Sequence, residues 1–177
     1  CPTRRLPDVK AAMIESIRAN GAMPFDTYMD RCLYGTDGFF TVGRGSPGAG
    51  GDFVTSPEVS RHFGELMNRW VEGAAPRAES PLIEVGAGSG ALLASMGSQR
   101  RPLYAVERSP AARRSIADLV PGVGVLASMD ELPDIAHGAV IANELLDNLP
   151  FALARRTHDG WAEVGVGIDD EDIAWCD

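Results

Sequence analysis

The chain has 177 residues, 45% of them apolar, with 16 basic and 25 acidic side chains and a net charge of −9, a length that suits one domain with a proper core. No apolar run approaches the roughly 20 residues that span a bilayer, and the opening Cys1-Pro2-Thr3-Arg4-Arg5-Leu6 lacks the apolar stretch of a secretory signal, so a soluble protein is expected. Cys1, Cys32 and Cys176 are far apart, and His62, His137 and His158 show no ligand spacing, so reduced thiols and no metal site are expected.

Asp8 to Asn20 reads as a helix, with Val9, Met13, Ile14 and Ile17 on one side and Asn20-Gly21 as its stop. A second helix follows Met23, with Pro24 in its first turn and Phe25, Tyr28, Met29, Cys32 and Leu33 as an apolar stripe. Gly35 to Asp52 holds seven glycines in 18 residues and fits either a linker or a loop that folds over a ligand. Thr55-Ser56-Pro57-Glu58 opens the next helix: Thr55 or Ser56 caps it, and Glu58 completes a capping box if Thr55 is the cap. Val59, Phe63, Leu66, Met67, Trp70 and Val71 are its expected buried face.

After residue 80 the pattern changes. Apolar runs at Leu82–Val85, Leu103–Val106, Val123–Leu126 and Ala139–Ala142 alternate with helix-like stretches at Ala91–Met96 and Ala111–Leu119, the latter behind Ser109 and Pro110. Buried strands alternating with helices predict a parallel α/β sheet with right-handed crossovers. Phe151–Arg156 and Trp161–Val166 flank His158-Asp159-Gly160, the pattern of a β-hairpin. The last 21 residues carry seven acids and no Lys or Arg, hence −7, against −2 for residues 1–156. That patch suits a solvated tail or strand end, would repel nucleic acid, and could attract a basic protein segment.

The main chemical signal is Ile83-Glu84-Val85-Gly86-Ala87-Gly88-Ser89-Gly90, a strand that ends in a glycine turn before a helix. Glycine removes the Cβ that would keep a ligand off the backbone, and the helix N-terminus is expected to offer free N–H groups to an anionic ligand. The spacing is G-x-G-x-G, with Glu84 two residues ahead of the first glycine. Glu107 ends the next strand, 21 residues after Gly86, where a carboxylate can accept both hydroxyls of a ribose. Glu84 is either part of that cofactor site or a strand-end charge paired with a backbone amide. Asp130, after the third strand, is placed to contact an adenine amine or to cap a helix. Asn143 and Glu144 follow the fourth strand, at the carboxyl edge where open α/β sheets take ligands. If that segment makes a helical turn, Glu144 and Asp147 share a face; Asn143 could equally be its cap.

These motifs, together with Met23-Pro24-Phe25, Tyr28-Met29, Cys32-Leu33-Tyr34, Gly51-Asp52-Phe53, Thr55-Ser56-Pro57-Glu58, Phe63-Gly64-Glu65, Val106-Glu107-Arg108-Ser109, Asn143–Pro150 and Gly160-Trp161-Ala162-Glu163, run in order from about residue 10 to 165. In that order they resemble the MidA-like methyltransferases. The resemblance implies a Rossmann-like class I fold that binds S-adenosyl-L-methionine, with Gly86, Gly88, Gly90 and Glu107 on the cofactor; Glu84 and Asp130 are added as cofactor candidates from their positions alone. It places Asn143 and Glu144 beside the transferred methyl and has Thr55 and its neighbours close over it, and the chemistry of an arginine acceptor adds Asp147 as a second carboxylate to Glu144. Eukaryotic members are mitochondrial complex I assembly factors that symmetrically dimethylate an arginine of a complex I subunit, so the partner implied is an arginine-containing protein.

The expected organisation is an N-terminal helical segment with a glycine-rich loop over 1–73, then a partial cofactor-binding domain with a hairpin over 74–177. A class I sheet has seven strands and only four precede the hairpin, so a fragment truncated at its C-terminus is expected; the chain also begins without Met. A bacterial cytoplasm is the expected compartment, or the mitochondrion for a eukaryotic source. Two rival readings share these features: an NAD-dependent dehydrogenase, and a non-catalytic scaffold or assembly factor that keeps the fold.

Overall fold

The computed structural model describes residues 9–41, 55–97 and 100–176. In chain order they form α1 (Val9–Asn20), β1 (Met23–Pro24), α2 (Phe25–Tyr34), α3 (Ser56–Val59), α4 (Arg61–Ala74), β2 (Leu82–Val85) and α5 (Ala91–Ser95). Then follow β3 (Leu103–Val106), α6 (Pro110–Leu119), β4 (Gly124–Leu126), β5 (Ala139–Ile141), β6 (Leu153–Arg156), β7 (Trp161–Asp169) and β8 (Asp172–Cys176). The chain divides into two units, Gly43–Leu146 and the pair of segments Cys1–Val42 and Asp147–Asp177. This is not the linear division at 73/74. Met23 and Pro24 pair with Val166 and Gly165, so N-terminal and C-terminal segments share a sheet.

In the unit Gly43–Leu146 the strands stand in the order β4-β3-β2-β5, all parallel. The register sets Leu82 beside Leu103 and Ala139, and Glu84 beside Ala105 and Ile141. Leu82, Leu92, Leu93, Ala105, Ile116 and Ile141 are buried in one core with Val71 of α4. The short apolar runs of the sequence are thus explained: strands covered by helices must bury nearly every side chain. Ser109 caps α6 through its hydroxyl, which accepts the Ala112 N–H at 3.4 Å, with Pro110 in the first turn.

One expected helix is two. The chain is extended at Ser60 (φ −153°, ψ 129°), ending α3, and the Ser60 hydroxyl then caps α4 by accepting the His62 N–H. The break resets the buried face. Val71 is fully buried and Phe63 and Met67 pack against the core, but Val59, Leu66 and Trp70 are exposed. The side that turns inward is centred on Gly64, where a Cβ would collide with Ser95 of α5. Apolar residues alone could not reveal that face, because its central residue has no side chain.

In the other unit, α1 and α2 cover a sheet in which β7 pairs antiparallel with β1, β6 and β8. Met13, Ile17, Met23 and Val166 form its core, joined by Phe25, Tyr28 and Ile173. The expected hairpin is β6–β7, closed by the Thr157 N–H donating to the Gly160 carbonyl at 2.9 Å. Pro24 sits ahead of α2 rather than inside its first turn, held extended by its pairing with β7. Strand β8 was not expected: its flanking acids resemble a solvated tail, yet Ile173 packs inward while Asp172 meets Lys10 at 2.8 Å. Residues 35–41, the start of the glycine-rich stretch, form turns in which Phe39 and Phe40 donate back to Cys32 and Leu33; residues 42–54 lie outside the described residues.

Candidate functional site

The strand order β4-β3-β2-β5 changes direction at β2, because the chain leaves it on one side to β3 and returns on the other with β5. Ligands of open α/β sheets bind at the carboxyl ends of strands where such a reversal occurs. Here those ends are the Gly86–Gly90 turn after β2 and Asn143-Glu144 after β5. Both lie in the unit Gly43–Leu146.

Gly86, Gly88 and Gly90 all have left-handed backbone, with φ of 73°, 55° and 82°. Two of them serve different ends. A Cβ on Gly86 would come within 2.7 Å of the Leu145 Cδ1, so this glycine makes room for the chain's own side chain. A Cβ on Gly88 would meet nothing within 4 Å, and that open face is where a ligand can lie on the backbone.

The expectation that the helix beyond the turn presents free N–H groups needs correcting. Gly90 stands at the N-cap of α5 and has no side chain to cap with. Two other residues act in its place. The Ser89 hydroxyl accepts the Ala91 N–H at 3.3 Å, and the Glu84 carboxylate accepts from the backbone of Leu93. Much of the helix terminus is therefore satisfied from within.

Glu84 is 4% exposed, in β2 rather than at a charged strand end, and its Oε2 has no hydrogen-bond partner among the described residues. Burial pushes its carboxyl up to about 8; the Leu93 hydrogen bond opposes that shift, and the Glu107 carboxylate adds to it. Glu107 is half-buried and bridges two loops. Its Oε2 accepts the Gly88 N–H at 2.9 Å and its Oε1 the Ser109 N–H at 2.7 Å. Arg113 fixes the backbone behind it, donating from Nη1 to the carbonyls of Glu107 and Arg108, each at 2.8 Å. Each carboxylate oxygen has two lone-pair directions, so Glu107 keeps acceptor capacity for a diol beside the open face of Gly88.

Thr55 is the N-cap of α3 and the expected capping box forms, the Thr55 N–H donating to Glu58 Oε2 at 3.1 Å. Glu58 also reaches the glycine turn, accepting the Ser89 hydroxyl at 3.0 Å on Oε1. The sequence signals only the cap. Glu144 has φ 51°, an unusual backbone for a residue with a side chain. Its Oε1 accepts the Ser56 N–H at 3.5 Å and the Asn143 Nδ2 at 3.4 Å. The helical turn expected to align Glu144 with Asp147 does not form: the 3-10 turn is Leu146–Asn148, so Asn143 is not at its N-cap position, and Asp147 counts with the other unit. Asp130 lies exposed in the 3-10 turn Met129–Glu131 beyond β4; its own N–H is accepted by Ser128, which is the cap there. Leu145, which fills the space beside Gly86, carried no sequence signal.

Residues 64–177 match the family described as "Putative S-adenosyl-L-methionine-dependent methyltransferase". The chain is 29% identical, over 90% of its length, to the zebrafish (Danio rerio) protein arginine methyltransferase NDUFAF7, mitochondrial, of which it covers 46%. It is 27% identical to the Caenorhabditis elegans homologue over 90% of its length and 46% of that protein. The chain thus spans about half the length of the curated relatives it matches. A crystal structure of a Burkholderia thailandensis protein bound to S-adenosyl-homocysteine superposes with a TM-score of 0.76 at 31% identity, covering 96% of this chain and 49% of that one. With the glycine turn, the carboxylate at the next strand end and this match over most of its length, the chain belongs to the MidA-like family of S-adenosyl-L-methionine-dependent methyltransferases.

Proposed function

We propose that this chain binds S-adenosyl-L-methionine at the Gly86–Gly90 turn and takes part in methyl transfer to an arginine of a protein substrate. The observation that carries the cofactor reading is the joint placement of Gly88 and Glu107: an open backbone face next to a carboxylate already hydrogen-bonded to it. Gly86, Gly88 and Gly90 would shape the turn, Glu107 would accept the ribose hydroxyls, and Asp130 would contact the adenine amine. Glu84, whose buried Oε2 has no partner among the described residues, and Thr55, tied to the glycine loop through Glu58, would complete the set. When bound, the cofactor supplies an electrophilic methyl on a sulfonium, which already carries the leaving-group driving force.

The protein's part is then alignment and charge. A guanidinium stays protonated and is a weak nucleophile, so carboxylates that orient it and balance its charge are what the chemistry needs. Asn143 and Glu144 stand at the carboxyl end of β5, and Glu144 is held in a left-handed backbone that aims its side chain at Ser56. Glu144 would orient the acceptor. Arginine as the acceptor is supported by the names of the curated relatives.

Calorimetric titration tests the cofactor reading: S-adenosylhomocysteine binds and NAD does not. Binding of NAD alone would replace this reading with a dehydrogenase. Radiolabelled methyl transfer to a lysate tests the second step, and Glu144→Gln is expected to lower it by at least 100-fold with cofactor affinity unchanged. Affinity for the cofactor with no labelled protein would favour a binding scaffold over an enzyme.

A further inference from the structure

The four-residue helix α3 is too short to hold itself in place, yet it is tied to both loops that border the crevice. Towards the loop after β5, the Ser56 N–H donates to Glu144 at 3.5 Å. Towards the glycine turn the tie is stronger and runs through one carboxylate. Glu58 Oε2 accepts the N–H and the hydroxyl of Thr55, at 3.1 and 3.2 Å, while Oε1 accepts the Ser89 hydroxyl at 3.0 Å. Ser89 in turn accepts the Ala91 N–H, the first amide of α5. A helix cap requires only one of these four contacts. Of the rest, the Ser89 hydroxyl on Glu58 is the bond that joins α3 to the turn.

We propose that Glu58 is a positioning residue for the cofactor turn, acting through Ser89 to hold the backbone of Gly88–Ala91 in its ligand-ready shape. The physical reason is the composition of the turn. Three glycines in five residues leave it with little conformational preference of its own, and the only hydroxyl within it is Ser89. Backbone bonds from Gly86 and Ala87 to Val106, and from the Gly90 N–H to the Ala87 carbonyl, fix its ends, so the side-chain ties bear on its middle. Glu107 acts at Gly88 from β3, and Glu58 acts at Ser89 from α3. A hydrogen bond with a carboxylate is stronger than one between neutral groups, and here one carboxylate restrains two segments that are 31 residues apart. Because α3 also touches Glu144, the same carboxylate links the cofactor turn to the acceptor side of the site.

This inference rests on the cofactor reading for its consequence, so the test has two separate readouts. In the ligand-free chain, Glu58→Ala and Ser89→Ala are each expected to speed amide hydrogen exchange across 88–91 by about tenfold or more, with β3 and β4 unchanged. The double variant should exchange no faster than the single variants, because both remove the same link. Affinity for S-adenosylhomocysteine should fall about tenfold in each single variant. A Glu58 that serves only as a helix cap would instead lower the melting temperature, leave exchange at 88–91 as in the parent, and give additive effects with Ser89→Ala; that result overturns the proposal. If the parent chain ignores S-adenosylhomocysteine, the cofactor reading fails, while the exchange data still decide the role of Glu58.

Discussion

Glu84 shows how one buried side chain can serve structure and leave a measurable trace in solution. It caps the amide of Leu93 in a helix whose own N-cap is glycine, and it does so from inside β2 at 4% exposure. Burial raises its carboxyl from the ordinary 4.5 to about 8. Between those values the folded chain keeps a proton that the unfolded chain has released. The folded state then binds more protons, so stability is fully present below 4.5, falls as pH rises through the window and levels off above about 8. Glu84→Gln cannot titrate, and its melting temperature should gain on that of the parent by several degrees between about pH 5 and about pH 8. Parallel curves for the two proteins across that range would show that the carboxyl is not held protonated by the fold.

At the same scale, the residues legible in the sequence are those whose chemistry depends on local spacing. Gly86, Gly88 and Gly90 follow directly on a strand, and Glu107 ends the next one, so the alternation of strands and helices fixes both. Glu58 was visible as a cap and invisible as a link to Ser89, because that link depends on where α3 lies and not on what precedes it. Leu145 is a further case. Nothing in its neighbours marks it as the side chain that lies against Gly86.

Among the elements, the parallel strands are fully legible and the buried side of α4 only partly so, for a shared reason. A strand covered by helices needs apolar residues nearly throughout, and that pattern needs no knowledge of which side faces inward. A helix must choose a side, and the apolar stripe of α4 does not coincide with its buried face: Leu66 and Trp70 of the stripe are exposed, while Val71 is fully buried. Close approach decides it: Gly64 lies so near α5 that an added Cβ would be 2.7 Å from the backbone carbonyl carbon of Ser95. Gly64→Ala therefore sets two effects against each other. Alanine improves helix propensity by about 1 kcal/mol, and overpacking costs about 1–3 kcal/mol, more when the obstacle is backbone. The second should win, with a net loss of about 1–2 kcal/mol seen as a lower denaturant midpoint at unchanged slope. Ser95→Gly should not restore the loss, since the backbone atom stays. A Gly64→Ala chain as stable as its parent would mean that α4 and α5 separate at no cost.

For the molecule as a whole, the grouping of segments was the feature least open to sequence reading. The pairing of Met23 with Val166 joins residues far apart in the chain, and no local pattern announces it. The candidate cofactor residues all fall within the unit Gly43–Leu146, while Asp147 counts with the other. The unit Gly43–Leu146 has its own core, in which Leu82, Ala105 and Ile116 are fully buried, and a ligand held by Gly88 and Glu107 would bind only while β2 and β3 are in place. Binding to the folded form alone stabilises it by RT ln(1 + [L]/Kd), about 2.7 kcal/mol at a hundredfold excess over Kd. Amides of Leu82–Val85 and Leu103–Val106 that exchange through unfolding of this unit should then slow by about 100-fold with S-adenosylhomocysteine and not with NAD. Hydrogen exchange followed by mass spectrometry measures this directly. Unchanged exchange in those two strands at saturating ligand would mean that the ligand is held somewhere other than the carboxyl ends of β2 and β3, and the assignment of Gly88 and Glu107 would fall with it.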